Sequence, residues 1–399
     1  MATLQPFRAL RPRPADAAQI AAVPYDVVST EEARSIADGN LLSFLRVSRA
    51  EIELSDGVDP YSDAVYERAA ANFARLKRVL VVEDEPAAYC YQLRMGPHTQ
   101  TGIAACFSLD EYDRDVIKRH ERTRRDKEDD RTRHMIALGA QTGPVFLTYR
   151  ASAGVDRLVG ESTASDPLFD FEAPDGVRHT IWRAKAAERD RLGAAFASIP
   201  ALYIADGHHR AASAARARTE LGARGDSNTM LAVAFPHNQV QILPYNRIVK
   251  DLGALGPDAF LAAVGERFEV APGPAAPVAR GDIAMYFQRA WHRLRPRIRP
   301  RERDPIESLD VSVLQNQLLA PVLQITDVRT DKRIDFIGGA RGTRELERLV
   351  QIGRAAVAFS LFPVSVEDLM GVADAGAIMP PKSTWFEPKL RDGLLIHTI

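Results

Sequence analysis

The sequence predicts a mixed α/β (α+β) protein, because segments with strand patterns alternate with segments of helical periodicity along the whole chain. The 399 residues are 46% apolar and 26% charged, which is ordinary globular composition and enough chain for more than one core. The net charge of −1 provides no bulk attraction to nucleic acid or to an anionic membrane. These observations exclude a disordered, fibrous or disulfide-stapled protein.

The cysteines and the chain start bear on the compartment. Cys90 and Cys106 are the two cysteines, which fits a reducing cytoplasm and excludes a cysteine-ligated metal site. The first residues contain no apolar core of the kind found in secretory signals, and no window reaches 18 apolar residues. We therefore expect a cytoplasmic protein without a membrane partner.

The elements of the first half follow from periodicity and capping residues. Apolar side chains at Val65, Ala69 and Phe73, for example, share one face of a helix. In chain order the patterns predict a strand at 4–10, a helix at 31–38 capped by Ser29 or Thr30, a helix at 61–79, a hairpin of strands 88–94 and 101–109, a charged loop running into a helix within 115–139, a buried strand at 144–149 and a small β region at 150–185.

The second half continues the alternation and contains the best candidate boundary. The patterns predict a helix at 186–197, a strand at 201–206, a helix from Gly207–His208 to about 222, strands at 230–236 and 241–249 in one continuing sheet, a hairpin at 283–298, helices at 309–323 and 343–353, and a loop at 376–390. Because 251–282 is rich in Gly and Pro, we predict a catalytic domain at 1–250 and a C-terminal α/β subdomain at 251–399 whose tail returns to the site.

An arginine-rich run at 293–303 is the one feature that suggests nucleic acid. It has no interleaved aromatic residues, and the chain as a whole is not basic. We interpret the run as a solvated strand edge or loop.

The strongest chemical motif is YIADGHHRAASAA at 203–215, where an apolar strand ends in a polar turn that opens a helix. Free amides and the positive end of a helix dipole favour an anion such as phosphate. Gly207 lets the backbone approach closely, Arg210 offers a two-pronged contact to phosphate, and Asp206 at the strand end is a candidate Mg²⁺ ligand. His208 and His209 point about 100° apart on a helix, so they do not chelate one ion together.

Three further segments carry candidate residues. IKRHERTRRDKEDDRTRHM at 117–135 holds Glu121 and a cluster of charges, and a carboxylate held among cations stays ionised and can accept a proton. MPPKSTWFEPKL at 379–390 presents a cation and two hydroxyls on a proline-fixed backbone, and VPYDVVS at 23–29 stands with SFLRVSR at 43–49. Only eight of the 52 basic residues are lysine, and four of them, at 118, 127, 382 and 389, fall in these boxes.

These boxes, with PYNRIV at 244–249, resemble the family of proteins known as domain of unknown function 1015. A more distant resemblance, over 117–215, links HE followed by a helix, a strand and DGHHR to the free serine kinases of the ParB/sulfiredoxin type. It implies a ParB/sulfiredoxin-like core with an N-terminal elaboration and a C-terminal subdomain. It also implies that Glu121 deprotonates the acceptor and that Asp206–Arg210 holds phosphate. About 50 extra residues separate Leu147 from Tyr203, which is a departure from that pattern.

The predicted site has three groups of residues. The catalytic residues are Glu121, Asp206 and His208, the nucleotide- or phosphate-binding residues are Gly207, His209, Arg210, Lys382, Ser383 and Thr384, and the substrate-binding residues are Tyr25, Asp26, Arg46, Lys127 and Arg131.

The functional hypothesis is a nucleotide-dependent phosphotransferase acting on a small hydroxyl compound, with free L-serine as first choice, ATP or ADP as donor and Mg²⁺ as cofactor. Its partners are then a small molecule and a nucleotide, with no nucleic acid. One alternative is a ParB-like nucleotide-binding switch without phosphotransfer. Another is a metal-dependent phosphodiesterase or nuclease using His208 or His209.

Overall fold

Two compact units make up the computed structural model, which describes residues 2–298 and 304–399. Unit 1 runs to Val240 and also includes Pro388–Ile399, whereas unit 2 is Gln241–Glu387. The predicted boundary after residue 250 lies inside unit 2, because the strand Tyr245–Val249 is an inner strand of the second sheet. The C-terminal residues leave unit 2 at Glu387 and complete unit 1.

A nine-stranded mixed sheet forms the centre of unit 1, which confirms the α/β fold class. Its order is Ile117–Lys118, Leu202–Asp206, Val145–Tyr149, Thr229–Pro236, His98–Ser108, Tyr89–Met95, Arg178–Arg183 and Phe169–Glu172, with Leu4–Gln5 paired to His98–Ser108. The strands Leu202–Asp206 and Ile117–Lys118 are parallel, so the segments that follow them leave the sheet at the same end. Unit 1 also has two short pairs, Leu10–Arg11 with Val81–Val82 and Ala140–Gln141 with His397–Thr398.

The helices of unit 1 begin and end where the sequence provides caps. Ser29 and Glu32 form a reciprocal capping box at the start of one helix, and Gly139, with a φ of +60°, ends another. The α-helices are Ala17–Ile20, Thr30–Ala37, Leu45–Ser48, Asp63–Leu76, Leu109–Asp113, Arg125–Leu138, Ala153–Ser162, Ala186–Phe196 and His208–Glu220. Helix Arg125–Leu138 packs against His208–Glu220, which brings two of the predicted motifs together.

Unit 2 is built on a separate six-stranded antiparallel sheet. Its order is Phe268–Pro272, Ala290–Pro296, Ile283–Phe287, Val357–Leu361, Tyr245–Val249 and Ile334–Gly338, and a short pair joins Gln241–Leu243 to Trp385–Glu387. Its α-helices are Pro257–Arg267, Asp310–Leu314, which continues as a π-helical turn over Gln315–Leu319, Gly342–Gln351 and Val366–Asp374.

Several sequence predictions differ from this fold. Strands 230–236 and 241–249 lie in different sheets and not in one continuing sheet, because the chain leaves the first sheet after Pro236. The region 150–185 contains the helix Ala153–Ser162 before its two strands, and the Gly- and Pro-rich stretch contains the helix Pro257–Arg267. Both helices are short, with 10 and 11 residues, and each has few buried apolar side chains.

The arginine-rich run is only partly described. Residues 293–296 lie in a strand that pairs on both sides, so this part is not a sheet edge, and residues 299–303 lie outside the described residues. Among the described residues, no helix combines the length and the apolar character that crossing a membrane requires.

Candidate functional site

The polar turn at the end of the strand Leu202–Asp206 has the backbone geometry of an anion site. Gly207 adopts a φ of +93°, and the helix His208–Glu220 starts directly after it without a side-chain cap. A Cβ at position 207 would lie 3.2 Å from Nε of Arg210 and 3.5 Å from Cα of Val145. The left-handed conformation therefore favours glycine, whereas a Cβ would require only a small shift of the Arg210 side chain. The first amides of the helix receive no capping side chain.

Asp206 is paired with a lysine from the far end of the chain. Nζ of Lys389 donates to Oδ2 of Asp206 at 2.9 Å, and the backbone N–H of Gly207 donates to Oδ1 at 2.9 Å. Burial opposes ionisation of this carboxyl, but the charges of Lys389 and Arg210 hold its pKa below the usual range. Both oxygens of Asp206 thus have protein donors, and an adjacent ammonium disfavours a cation. The residue does not fit the predicted role of Mg²⁺ ligand.

Arg210 lies beneath the turn and not on its surface. The residue is 6% exposed, it donates through Nη1 to the carbonyl of Pro144, and its Nε has no hydrogen-bond partner. Burial works against its charge, yet the nearby Asp26, Asp206 and Asp392 raise its pKa. In this conformation Arg210 is the central counter-ion of a group of aspartates, and a two-pronged phosphate contact would have to form within the buried pocket beside it.

That pocket is small and partly open to solvent. Its lining combines cations, a phenol and a carboxyl: the residues are Tyr25, Ser48, Arg131, His134, Met135, Thr142, Gly143, Arg210 and Asp392. The guanidinium of Arg131 stacks on the ring of Tyr25 at 4.1 Å and pairs with Asp130 at 2.8 Å. Two arginines in one small buried pocket favour an anionic ligand group over a neutral one.

Asp392 is the acid in the lining of this pocket. It is 3% exposed, and its Oδ1 has no hydrogen-bond partner. Burial raises its pKa to about 7, although Arg210 and Arg131 act in the opposite direction. The carboxyl consequently changes charge near neutral pH in the folded chain.

We expect Asp392→Asn to stabilise the protein at high pH only. The folded state holds this proton up to about pH 7, whereas the unfolded chain releases it near pH ~4. Wild-type stability contributed by this group therefore falls as pH rises between those values. At about 1.4 kcal/mol per pKa unit, the variant should gain on the order of 2–4 kcal/mol over wild type at pH ~8 and nothing at pH ~4.

Urea unfolding of wild type and Asp392→Asn across that range measures the difference. Asp56→Asn removes a carboxyl that is 92% exposed and serves as the control. A stability gain that is the same at both ends of the range would contradict the assignment.

Glu121 meets His208 at the same edge of the sheet. Oε2 of Glu121, on a side chain that is 39% exposed, lies 3.9 Å from Nδ1 of His208, and the rings of His120 and His208 pack edge to face at 4.5 Å. Burial lowers the pKa of His208 well below its ordinary value and that of His120 to about 4, so both are neutral at pH ~7. One donor atom from each of these three residues lies within 4.8 Å of the others.

The remaining predicted residues divide between the units. Nζ of Lys127 donates to the hydroxyl of Tyr61 at 2.7 Å, and Nε2 of His209 accepts from the backbone of Arg124 at 3.0 Å. Asp26 is exposed, beside the buried Tyr25.

Arg46 uses all three of its guanidinium nitrogens within the N-terminal part of unit 1. It donates to the carbonyls of Asn40 and Ala37 and to Glu53. Its predicted contact with substrate therefore has no support in these contacts.

The predicted phosphate ligands of the tail lie in unit 2. Lys382 has a φ of +59° and its carbonyl accepts from Arg247 at 3.0 Å, while Oγ of Ser383 donates to Pro380 at 2.6 Å. Thr384 follows directly and is half-buried. Their participation in the site stays a prediction.

Lys389 and Asp392 are the site residues that the sequence-based prediction omitted. Lysine scarcity already singled out Lys389, since few lysines occur in this arginine-rich chain. The sequence does not indicate that Asp392 belongs to the site, because an aspartate next to a glycine is typical of an exposed turn.

Comparison with known proteins identifies a family and several solved structures of distant similarity. A family model described as a protein of unknown function (DUF1015) matches residues 4–312. No curated protein matches the sequence. Among solved structures the chain is similar to a mutant of a free serine kinase in complex with AMP, at 16% identity over 71% of this chain and 87% of the other, with a TM-score of 0.38.

Two further structures show similar values. A conserved hypothetical protein from Pyrococcus furiosus is 14% identical over 73% of this chain and 94% of its own, with a TM-score of 0.38. SbnI with a C-terminal truncation, from Staphylococcus aureus, is 12% identical over 74% and 87%, also with a TM-score of 0.38. Similarities at this level carry no argument about what the present chain binds.

Proposed function

Because the chain belongs to the DUF1015 family of proteins of unknown function, we propose its function from the site itself. The proposal is a phosphotransferase that moves a phosphoryl group from ATP or ADP to a small hydroxyl compound, with free L-serine as the first acceptor to test. Phosphoryl transfer depends mainly on positioning and on neutralising charge.

The proposal rests on the fact that three groups lie at one edge of the unit 1 sheet. They are the uncapped start of the helix after Gly207, the ammonium of Lys389 and the solvent-accessible carboxylate of Glu121. The amides after Gly207 and the helix dipole suit phosphate oxygens. Asp206 holds the ammonium of Lys389 at 2.9 Å, beside those amides. Glu121 follows the neighbouring parallel strand and is exposed enough to meet an acceptor.

The proposed step is a direct displacement at phosphorus. The acceptor oxygen forms a bond to the terminal phosphorus while the bond from that phosphorus to the bridging oxygen of the donor breaks. The leaving nucleotide keeps the electron pair of the broken bond. The hydroxyl proton passes to Glu121, and the helix amides together with Lys389 balance the charge on the transferring oxygens. His208 is neutral and buried, with Nδ1 3.9 Å from Glu121, and is proposed to position that carboxylate.

The other predicted residues have supporting roles in this proposal. Tyr25 and Arg131, which line the pocket beside Arg210, are proposed to bind the acceptor together with Asp26, while Arg210 organises the aspartates around it. Mg²⁺ has no part in the step as written, because Asp206 is occupied by Lys389 and Gly207.

Phosphorus NMR tests the reaction directly. We expect purified protein, supplied with ATP or ADP, Mg²⁺ and a pool of hydroxy amino acids, to form O-phosphoserine that mass spectrometry identifies. L-alanine in place of L-serine is the control, since it lacks the hydroxyl. If a nucleotide binds and no hydroxyl compound is phosphorylated, the nucleotide-binding switch replaces the phosphotransferase as the function.

A further inference from the structure

The cluster of His120, Glu121 and His208 has a property that phosphotransfer does not use. His120 and Glu121 follow the strand Ile117–Lys118, and His208 follows its parallel neighbour, Leu202–Asp206. Parallel strands deliver the residues after them to the same edge of a sheet, so the two segments meet there. Two imidazoles and one carboxylate are thereby brought within 4.8 Å of one another.

The state of His120 is the second, independent observation. His120 is 2% exposed, and neither ring nitrogen has a hydrogen-bond partner. The backbone of Ile204 approaches the ring without reaching normal hydrogen-bond geometry. A buried polar group without a partner costs about 1–3 kcal/mol, and native proteins contain few of them. An ion that accepts the lone pair of one ring nitrogen would reduce that cost.

We propose that His120, Glu121 and His208 form a binding site for a divalent transition metal ion of the Zn²⁺ or Co²⁺ class. Two imidazole nitrogens and a carboxylate oxygen suit such ions, whereas Mg²⁺ and Ca²⁺ prefer an all-oxygen set. Three protein ligands leave one position open, as in sites that bind water or a further ligand.

The cluster must contract modestly to bind an ion. Tetrahedral ligands at the usual bond lengths are roughly 3.4 Å apart, against 3.9 Å between Glu121 and His208. The Glu121 side chain is 39% exposed and has room to move. His208 accepts from the backbone N–H of His120 at 3.5 Å, a contact too long to lock the ring.

Titration of chelator-stripped protein with CoCl₂, followed by visible absorption, and with ZnCl₂, followed by calorimetry, tests the site. We expect one ion per chain, with the visible bands of a cobalt site of low coordination number. His120→Ala and Glu121→Gln should each weaken binding by more than the roughly 10–100-fold that loss of an outer-shell partner costs. His98→Ala, which changes a histidine of the hairpin Tyr89–Ser108, should bind as wild type does.

Glu121→Gln keeps the test decisive even if His120→Ala fails to fold, because Glu121 is partly exposed and its amide replacement conserves shape. Wild type that takes up no Co²⁺ overturns the proposal. So do His120→Ala and Glu121→Gln variants that bind as tightly as wild type, because the ion would then lie elsewhere. An ion held here occupies Glu121, so Zn²⁺ should inhibit phosphotransfer. That second readout rests on the proposed function, whereas binding does not.

Discussion

Glu121→Gln should lower phosphotransferase turnover by about 10²–10⁴-fold, the usual contribution of a positioned general base. The amide keeps the size of the carboxylate but cannot accept the proton of the acceptor hydroxyl. Nucleotide affinity should hardly change, because the proposed phosphate contacts come from the turn after Asp206 and not from Glu121. Steady-state rates and calorimetric titration with ATP or ADP measure the two quantities separately.

Two comparisons make this result specific. Glu128→Gln applies the same change seven residues further on, to a carboxylate that pairs with Arg216, and should leave turnover near wild type. Arg210→Ala should instead weaken nucleotide binding, because it removes the buried cation that balances Asp206 and Asp392 beside the phosphate-binding turn. If Glu121→Gln loses nucleotide binding as severely as Arg210→Ala, then Glu121 is not the base and the proposed mechanism is wrong.

Lys389→Met should cost stability and nucleotide binding together. The side chain of Lys389 is 12% exposed and its ammonium pairs with Asp206 at 2.9 Å. Loss of this ammonium leaves the Asp206 carboxylate without its closest cation. Breaking a fully buried pair costs about 3–5 kcal/mol, and the 30% exposure of Asp206 reduces the expected loss to about 2–3 kcal/mol. Urea unfolding gives the stability, and calorimetry with ATP or ADP gives the affinity.

A double variant separates the ion pair from general packing. Asp206→Asn combined with Lys389→Met removes both charges and should recover much of the lost stability but not nucleotide binding. Lys185→Met breaks an exposed pair with Glu188, 3.9 Å apart, and should cost less than ~0.5 kcal/mol. Equal losses for Lys389→Met and Lys185→Met would show that the Asp206 contact has no special weight.

Local sequence patterns correctly predicted the features that depend on a single element or turn. Ser29 and Glu32 form the capping box that a serine before two glutamates predicts, and Gly207 takes the left-handed conformation expected of a glycine between a strand and a helix. The hairpin at 283–298 also formed, because its two strands are adjacent in sequence. Each of these features depends on residues a few positions apart.

Sheet membership was harder to predict from local patterns. Strands at 229–236 and 245–249 look equivalent in the sequence, yet they belong to different sheets in different units. Partner choice depends on which distant strands offer matching apolar faces, such as Val357–Leu361 for Tyr245–Val249. The local pattern of a strand does not identify the strand with which it pairs.

The sequence by itself determined the mixed α/β class and the strand–glycine–helix turn at Asp206–Arg210, because short-range spacing and residue type specify both of them. Glu121 as the base came from a resemblance between families and stays a prediction. Only the tertiary structure decided that Lys389 pairs with Asp206, that Arg210 is buried among aspartates and that His120 joins Glu121 and His208. Those three outcomes arise from contacts across tens to hundreds of residues. Burial and electrostatic pairing, which set the charge and the role of each group, exist only once the chain has closed.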